Sequence, residues 1–291
     1  MAKTTIKFAP VVSVLNMKGG VGKTTISAHV FRHLYMRLQK STLLVDFDPQ
    51  FNLTQTIVSQ IDYEKHKKDR RTIQAVMEPE PNQSIFQVNT QLGPPPAEDK
   101  VSIRLRGIIG KPEINLSLVP GDFGLVKYSL ITDQKVLNPI RERFLTFIME
   151  ARKNRDLICI DCNPSSSFMT LCALMASTHV LVPVKPDRYS ILGLELLDQF
   201  INDLPLLTNK PKIVVILNGV PRANYDPTVE NSLRSHPRFG PVTLSSVLNV
   251  TKLLEASPGY TGFATDKKHQ WRITPRISAV VDELAGHLGL K

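Results

Sequence analysis

Residues 16–25 read Asn-Met-Lys-Gly-Gly-Val-Gly-Lys-Thr-Thr. Three glycines, two lysines and two threonines in this order suit one kind of chemistry, the holding of a row of phosphates. Gly19, Gly20 and Gly22 can turn their backbone amides inward around phosphate oxygens. The helix that follows adds the positive end of its dipole. Lys23 is placed to neutralise β and γ phosphates, and the Thr24 hydroxyl to ligate Mg2+. Gly22-Lys23-Thr24 fits the end of the loop pattern G-x-x-x-x-G-K-S/T, although Met17 stands where the first glycine belongs. A turn that merely joined a strand to a helix would need neither the lysines nor the threonines. A dinucleotide-binding turn would need G-x-G-x-x-G, whereas Gly19 and Gly20 are adjacent. One lysine suffices for the phosphates, so Lys18 asks for a second role.

Magnesium takes hard oxygen ligands, often a carboxylate acting through water. Two apolar runs end in aspartate, Leu43-Leu44-Val45-Asp46 and Leu157-Ile158-Cys159-Ile160-Asp161. Asp161 is the stronger metal candidate, because its strand is expected beside the loop strand; Asp46 remains the other. Asp48 opens the turn Asp48-Pro49-Gln50, where it can position an attacking water.

Those residues need a scaffold. Val11–Leu15 reads as a buried strand running into the glycine loop. Thr24–Leu38 carries Ile26, Val30, Leu34 and Leu38 on one helical face. Thr42–Val45 is a second strand, so strand, helix and strand imply a right-handed βαβ unit with a parallel sheet. Further strands are expected at Ile114–Val119, Leu157–Ile160, Val180–Val184 and Ile213–Leu217. Helices are expected at Pro139–Arg152, Ile191–Ile201 and Ile277–Leu288. The alternation predicts a single doubly wound, mostly parallel α/β domain over 1–291. Residues 59–113 break the rhythm and read as a loop-rich insertion, with one short helix near Thr72–Met77.

The chain's 291 residues are 42% hydrophobic, enough for one large core. Its 36 Lys+Arg against 26 Asp+Glu give a charge of +10, which favours a polyanion partner. Cys159, Cys162 and Cys172 cannot form a disulfide framework, so a reducing cytoplasm is the expected setting. No apolar run reaches the ~18 residues of a membrane span. Lys3 and Lys7 precede a short apolar stretch without a cleavage site, so no signal peptide is expected.

Four segments taken together, "KGGVGKTT" (18–25), "LLVDFDPQFNLT" (43–54), "LICIDCNPSS" (157–166) and "VLVPVKPDRYSILGLELL" (180–197), resemble the ParA/MinD superfamily of deviant Walker-A ATPases. "DFDPQFNLT" is similar to the D-x-D-P-Q-x-N-x-T of its ParA-type partition branch. The resemblance implies a P-loop ATPase that dimerises around ATP and Mg2+. Lys18 would be the signature lysine, reaching the phosphates of the other subunit. Lys23 would bind phosphate in cis, alongside Gly19, Gly20, Val21, Gly22, Thr24 and Thr25. Asp48 would hold the water. Asn218 resembles an adenine-contacting position. Two positions depart from the pattern: Asn163 stands for a proline of D-x-P-P-S, and Lys185 for a common glutamine.

The branch also implies nonspecific DNA binding by the ATP-bound dimer, nucleoid association and a ParB-like or cargo-adaptor partner. Residues 201–291 hold 11 Lys+Arg against 7 Asp+Glu. Arg234 and Lys252 resemble the family's basic positions, and Lys210 and Lys212 lie near a third. Each could equally be a solvated surface charge. The short stretch before Val11 leaves no room for a helix-turn-helix domain, so operator binding is not expected. A MinD-like protein would end in a basic amphipathic helix on a membrane. Here Asp282 and Glu283 give the last helix the wrong sign, and it is expected to pack on the core. Cys159-x-x-Cys162 reads as buried thiols, and His29 and His33 as helix packing residues. A P-loop enzyme of biosynthesis or metal-cluster assembly stays open as a further alternative.

Overall fold

The computed structural model describes residues 8–80, 87–89, 93–165, 167–255 and 261–291. Of the residues named above, Lys3, Lys7, Ser166, 81–86 and 90–92 of the insertion, and 256–260 of the range 201–291 lie outside these residues. The expected βαβ start is present: β1 (Val11–Val14), α1 (Lys23–Leu38) and β2 (Thr42–Phe47). There follow α2 (Asn52–Ile57), α3 (Gln60–Lys68), α4 (Ile73–Met77), α5 (Glu98–Val101), β3 (Ile103–Ile108) and β4 (Lys111–Val119). The second half alternates α6 (Gln134–Asn154), β5 (Leu157–Cys162), α7 (Phe168–Ala176), β6 (His179–Val184), α8 (Ser190–Asp203) and β7 (Lys212–Val220). It closes with α9 (Thr228–Ser235), β8 (Leu248–Asn249) and α10 (Thr274–His287).

Among the described residues the strands form one sheet in the order β3-β4-β2-β5-β1-β6-β7-β8. Every neighbouring pair is parallel except β3–β4. The chain leaves β1 toward β2 on one side and later fills β6 on the other. The crevice beyond the carboxyl ends of β1, β5 and β6 is therefore a topological switch point, where this architecture holds ligands.

Side chains alternate across the sheet with period two, and this splits the core into two layers. Val11, Leu43, Val45, Ile158, Ile160 and Cys162 face α6, α7 and α8. Val12, Val14, Leu44, Leu157 and Cys159 face α1 and α10. Cys159 and Cys162 thus point to opposite faces of β5, and all three cysteines are buried thiols. No group of three or more His, Cys, Asp or Glu side chains suited to a metal occurs among the described residues.

Helix α10 packs as expected. Ile277, Val280, Val281 and Leu284 are fully buried against α1, each side chain stabilising the docking by about 1.5–3 kcal/mol. Its acidic face is also engaged. Arg37 donates two hydrogen bonds to Asp282, both at 2.8 Å, and Glu283 accepts from the Ser245 and Ser246 amides. No described helix is long and apolar enough to cross a membrane.

The insertion corrects one expectation. Besides α4 near its predicted place, 59–113 contains α3, α5 and the edge strand β3. Helix α3 buries one apolar side chain, Tyr63, so it leaves no helical stripe to read. Strand β3 alternates Ile103-Arg104-Leu105-Arg106 with partly buried and exposed positions, a period-two signal overlooked beside the charged run.

Candidate active site

The loop between β1 and α1 is fastened from both sides. Asn16 Nδ2 donates to Pro183 O at 2.8 Å, tying the loop to β6. The Asn16 side-chain oxygen accepts from Lys18 N, also at 2.8 Å. Gly20 and Gly22 take φ of +70° and +93°, which side chains other than glycine's rarely adopt. Gly22 is also pressed by Asn218: an added Cβ would lie 2.2 Å from Asn218 Nδ2. That amide donates to Val21 O at 2.8 Å, so β7 braces the loop.

The two lysines go to different places. Lys23 is 7% exposed and donates to the Asn16 and Lys18 carbonyls, both at 3.1 Å. Burial lowers its pKa, opposed by the charges of Asp161 and Asp48. Lys18 points away and pairs with Asp187 at 2.5 Å, with 47% of its side chain exposed. Burial would raise the Asp187 carboxyl, but hydrogen bonds from Lys18, the Tyr189 amide and Ser190 outweigh it and hold the pKa low.

Register brings the carboxylates together. Val14 pairs with Asp161 across β1–β5, and Asp46 pairs with Asp161 across β2–β5. The loop strand and the Asp161 strand are neighbours, as the sequence suggested. Asp161 accepts from Thr24 Oγ1 at 2.8 Å and from Ser27 Oγ at 2.7 Å. It is fully buried, and burial raises its pKa to about 6 against those two hydrogen bonds. Asp46 has a different environment. Its Oδ2 accepts from the Thr54 amide at 2.8 Å and the Thr54 hydroxyl at 2.7 Å. Burial, then the neighbouring Asp161, push its pKa to about 8. Asp46 thus ties β2 to α2, whereas Asp161 alone of the pair reaches Thr24. Asp48 is 7% exposed, and burial raises its carboxyl. Its oxygen accepts from Gln50 N at 2.9 Å, fixing the expected turn.

A cavity of about 720 Å³ opens here, lined by Gly19, Gly20, Gly22, Lys23, Thr24, Thr25 and Asp48. It continues past Asn52, Gln55 and Thr56 to Glu255 and Lys267. Val21, Asn218 and Asp161 stand behind this lining, and Lys18 lies outside it. The residue set fits a polyphosphate with Mg2+: turned glycine amides, a buried ammonium, and hydroxyl and carboxylate oxygens within 2.8 Å.

Three participants were not singled out from sequence. Asn16 immediately precedes the loop, and Ser27 lies one turn after Thr24 on the same helical face. That spacing is a legible signal for Ser27. Asp187 is 169 residues from Lys18 and carries no local signal.

The predicted basic positions do not gather into one patch. Arg234, partly exposed, bonds Glu230 at 2.8 Å and the Leu244 and Ser245 carbonyls at 3.1 Å. It braces α9 against the chain before β8, so a phosphate contact by Arg234 would have to replace these bonds. Lys210 donates to Asn202 O at 2.7 Å. Lys212 begins β7, at the end of the sheet away from the cavity, while Lys252 follows β8 at the near end. The six steps from Lys212 to Asn218 alone span about 20 Å. His29 and His33 pack as expected: His29 Nδ1 accepts from Ala264 N at 3.2 Å, and His33 bonds Ser278 Oγ at 2.8 Å.

A family model described as an AAA domain matches residues 9–213. The sporulation initiation inhibitor protein Soj of Bacillus subtilis is 28% identical over 211 residues, 72% of this chain and 70% of that protein. A Rhizobium rhizogenes protein described as replication protein A is 29% identical over 190 residues, 63% of this chain; the chain spans 42% of that relative. A plasmid partition protein from Borrelia burgdorferi, solved with AMPPNP, superposes with a TM-score of 0.70 at 17% identity, covering 97% of this chain and all of that one. Cobyrinic acid a,c-diamide synthase from Mycobacterium smegmatis, with ADP and magnesium, gives 0.66 at 20% identity, covering 96% and 95%. At such identities the two structures speak for the fold alone. The family match spans more than half of the chain and contains the whole phosphate loop, Asp48 and Asp161. The chain belongs to the AAA-domain family of P-loop ATPases and is of ParA type.

Proposed function

We propose that this chain is an ATP-hydrolysing switch. It passes between a monomer and an ATP-sandwich homodimer, binds DNA without sequence preference as the dimer, and positions a plasmid, chromosome or protein cargo in the cytoplasm, on the nucleoid. A ParB-like or cargo-adaptor protein would stimulate hydrolysis. The observation that carries this is the divergence of the two loop lysines. Lys23 is folded beneath its own loop, while Lys18 is half exposed on a surface carboxylate, free to exchange Asp187 for phosphates held by a second copy.

The chemistry follows from the residues present. The glycine amides and Lys23 bind and orient the β and γ phosphates. Thr24 and Asp161 would hold Mg2+, with Asp46 one strand further off; the ion would offset charge on the phosphate oxygens. Asp48, with its raised carboxyl, orients water toward the γ phosphate. Asn218 would face the adenine while it braces Val21. AMPPNP on the Borrelia protein and ADP with magnesium on the Mycobacterium enzyme support ATP and Mg2+ here.

A second reading, a biosynthetic P-loop enzyme, is favoured by the cavity's extension toward Glu255 and Lys267. A membrane-surface role is not favoured, because the acidic face of α10 is engaged within the fold. Sedimentation of the Lys18→Gln variant tests the switch. The unsubstituted chain should dimerise with ATP and not with ADP, and the variant should stay monomeric with both. A variant that dimerises normally with ATP overturns the proposal.

A further inference from the structure

Some of this chain's cations are committed to carboxylates. Arg37 pairs with Asp282, Arg238 with Asp198, Arg155 with Glu98 and Lys153 with Glu150. Helix α3 differs. Lys65, Lys67 and Lys68 are exposed in its last two turns, and none has an ion-pair partner among the described residues. The nearest acidic groups are accounted for. Asp62 accepts from Ser59 Oγ at 2.7 Å and from no lysine. Glu64 falls between Lys67 and Lys68 around the helix, and Asp62 lies on the Lys65 side. Asp69 follows as the C-cap.

Favourable interaction with the helix dipole explains lysines in a last turn, but not the way this helix is anchored. Tyr63 is the one buried residue of α3, and it stacks on Phe51 with ring centroids 5.1 Å apart at 16°. Phe51 holds a left-handed φ of 40°. Its amide donates to Asp48 O at 2.8 Å. Lys67 Nζ lies 5.9 Å from the Tyr63 ring centre. Lys67, and with it the helix, is thereby linked through one aromatic pair to the turn of Asp48, which lines the phosphate cavity. Ile61, 84% exposed, shares the face of Lys65 and Lys68. One exposed apolar side chain on a nine-residue helix is too little to enter a bilayer.

We propose that α3 contacts the phosphate backbone of duplex DNA through Lys65, Lys67 and Lys68, and that the Tyr63–Phe51 stack makes this contact depend on the nucleotide beside Asp48. This rests on the DNA-binding reading above and assigns its surface to the insertion rather than to Arg234. The test measures binding to random-sequence duplex DNA, with ATP and with ADP, over a salt series. The Lys65→Gln/Lys67→Gln/Lys68→Gln triple variant is compared with a Lys135→Gln/Lys153→Gln control on α6. Each lost phosphate contact lowers the slope of log affinity against log salt by about 0.9, so the triple variant should lose about 2–3 of slope. The control should keep its slope. Tyr63→Leu should keep binding DNA and lose the difference between ATP and ADP. A triple variant with unchanged slope overturns the α3 assignment and leaves DNA binding standing. No ATP-dependent DNA binding by the unsubstituted chain overturns both readings. Binding to anionic vesicles that vanishes in the triple variant, without DNA binding, overturns the proposal in favour of a lipid surface.

Discussion

Replacing Gly22 by alanine should separate two costs that the loop geometry combines. Its φ of +93° is unfavourable for any side chain, at about 1–2 kcal/mol. The new Cβ would also meet Asn218 Nδ2 at 2.2 Å, so Asn218 must swing away. That breaks its hydrogen bond to Val21 O, worth about 1 kcal/mol. Gly22→Ala should therefore destabilise the chain by about 2–3 kcal/mol, and Asn218→Ala by about 1 kcal/mol. The hydrogen bond can be lost once only. The double variant should fall about 1 kcal/mol short of the sum. Urea unfolding without nucleotide measures all three variants, and affinity for a non-hydrolysable ATP analogue reads the same coupling at the site. Strict additivity, within about 0.5 kcal/mol, would refute the idea that Asn218 braces the loop through this contact.

Other perturbations follow from the same geometry. Asp161→Asn keeps one acceptor oxygen, while its amide N–H donates to the other hydroxyl, and removes the charge facing Mg2+; hydrolysis should fall at least about 100-fold while urea stability changes little. Asp187→Asn frees Lys18 from an exposed pair worth about 0.2–1 kcal/mol, so sedimentation with ATP should show dimer formation tighter by at most about fivefold. Arg234→Ala strands the Leu244 and Ser245 carbonyls and should cost about 1–3 kcal/mol in urea unfolding; unchanged stability would return Arg234 to the candidates for DNA contact. His29 is buried neutral, with burial lowering its pKa from 6.5 to about 4. Above pH 6.5 its contribution is complete; as pH falls from 6.5 to 4 the unfolded chain takes the proton first, and up to about 3 kcal/mol is lost. His29→Gln should flatten that part of the stability profile.

The placement of residues by period and by turn chemistry was legible without coordinates. Two-residue alternation put Val12 and Val14 on one face of β1 and committed Cys159 and Cys162 to opposite faces of β5. Glycines with positive φ, followed by lysine and threonine, fixed the cradle and the start of α1. These features depend on neighbours in the chain, whose geometry covalent structure and sterics dictate. The aspartate after an apolar strand was also visible. Its partnership with Thr24 waited on the strand order that lays β5 beside β1.

What the fold alone decided is which polar groups each side chain meets across the sheet. Asp46 and Asp161 look alike in sequence, but register gives Thr54 to one and Thr24 to the other. Arg234 bonds carbonyls 10 and 11 residues away that α9 brings alongside. Lys18 and Asp187 stand 169 residues apart, and meet because β1 and β6 are adjacent parallel strands whose carboxyl ends share one crevice. Side-chain type and spacing set the chemistry that a loop can perform. The charges and hydrogen bonds that steer it arrive from distant segments, through strand order, and strand order depends on the global burial of two apolar faces rather than on any local signal.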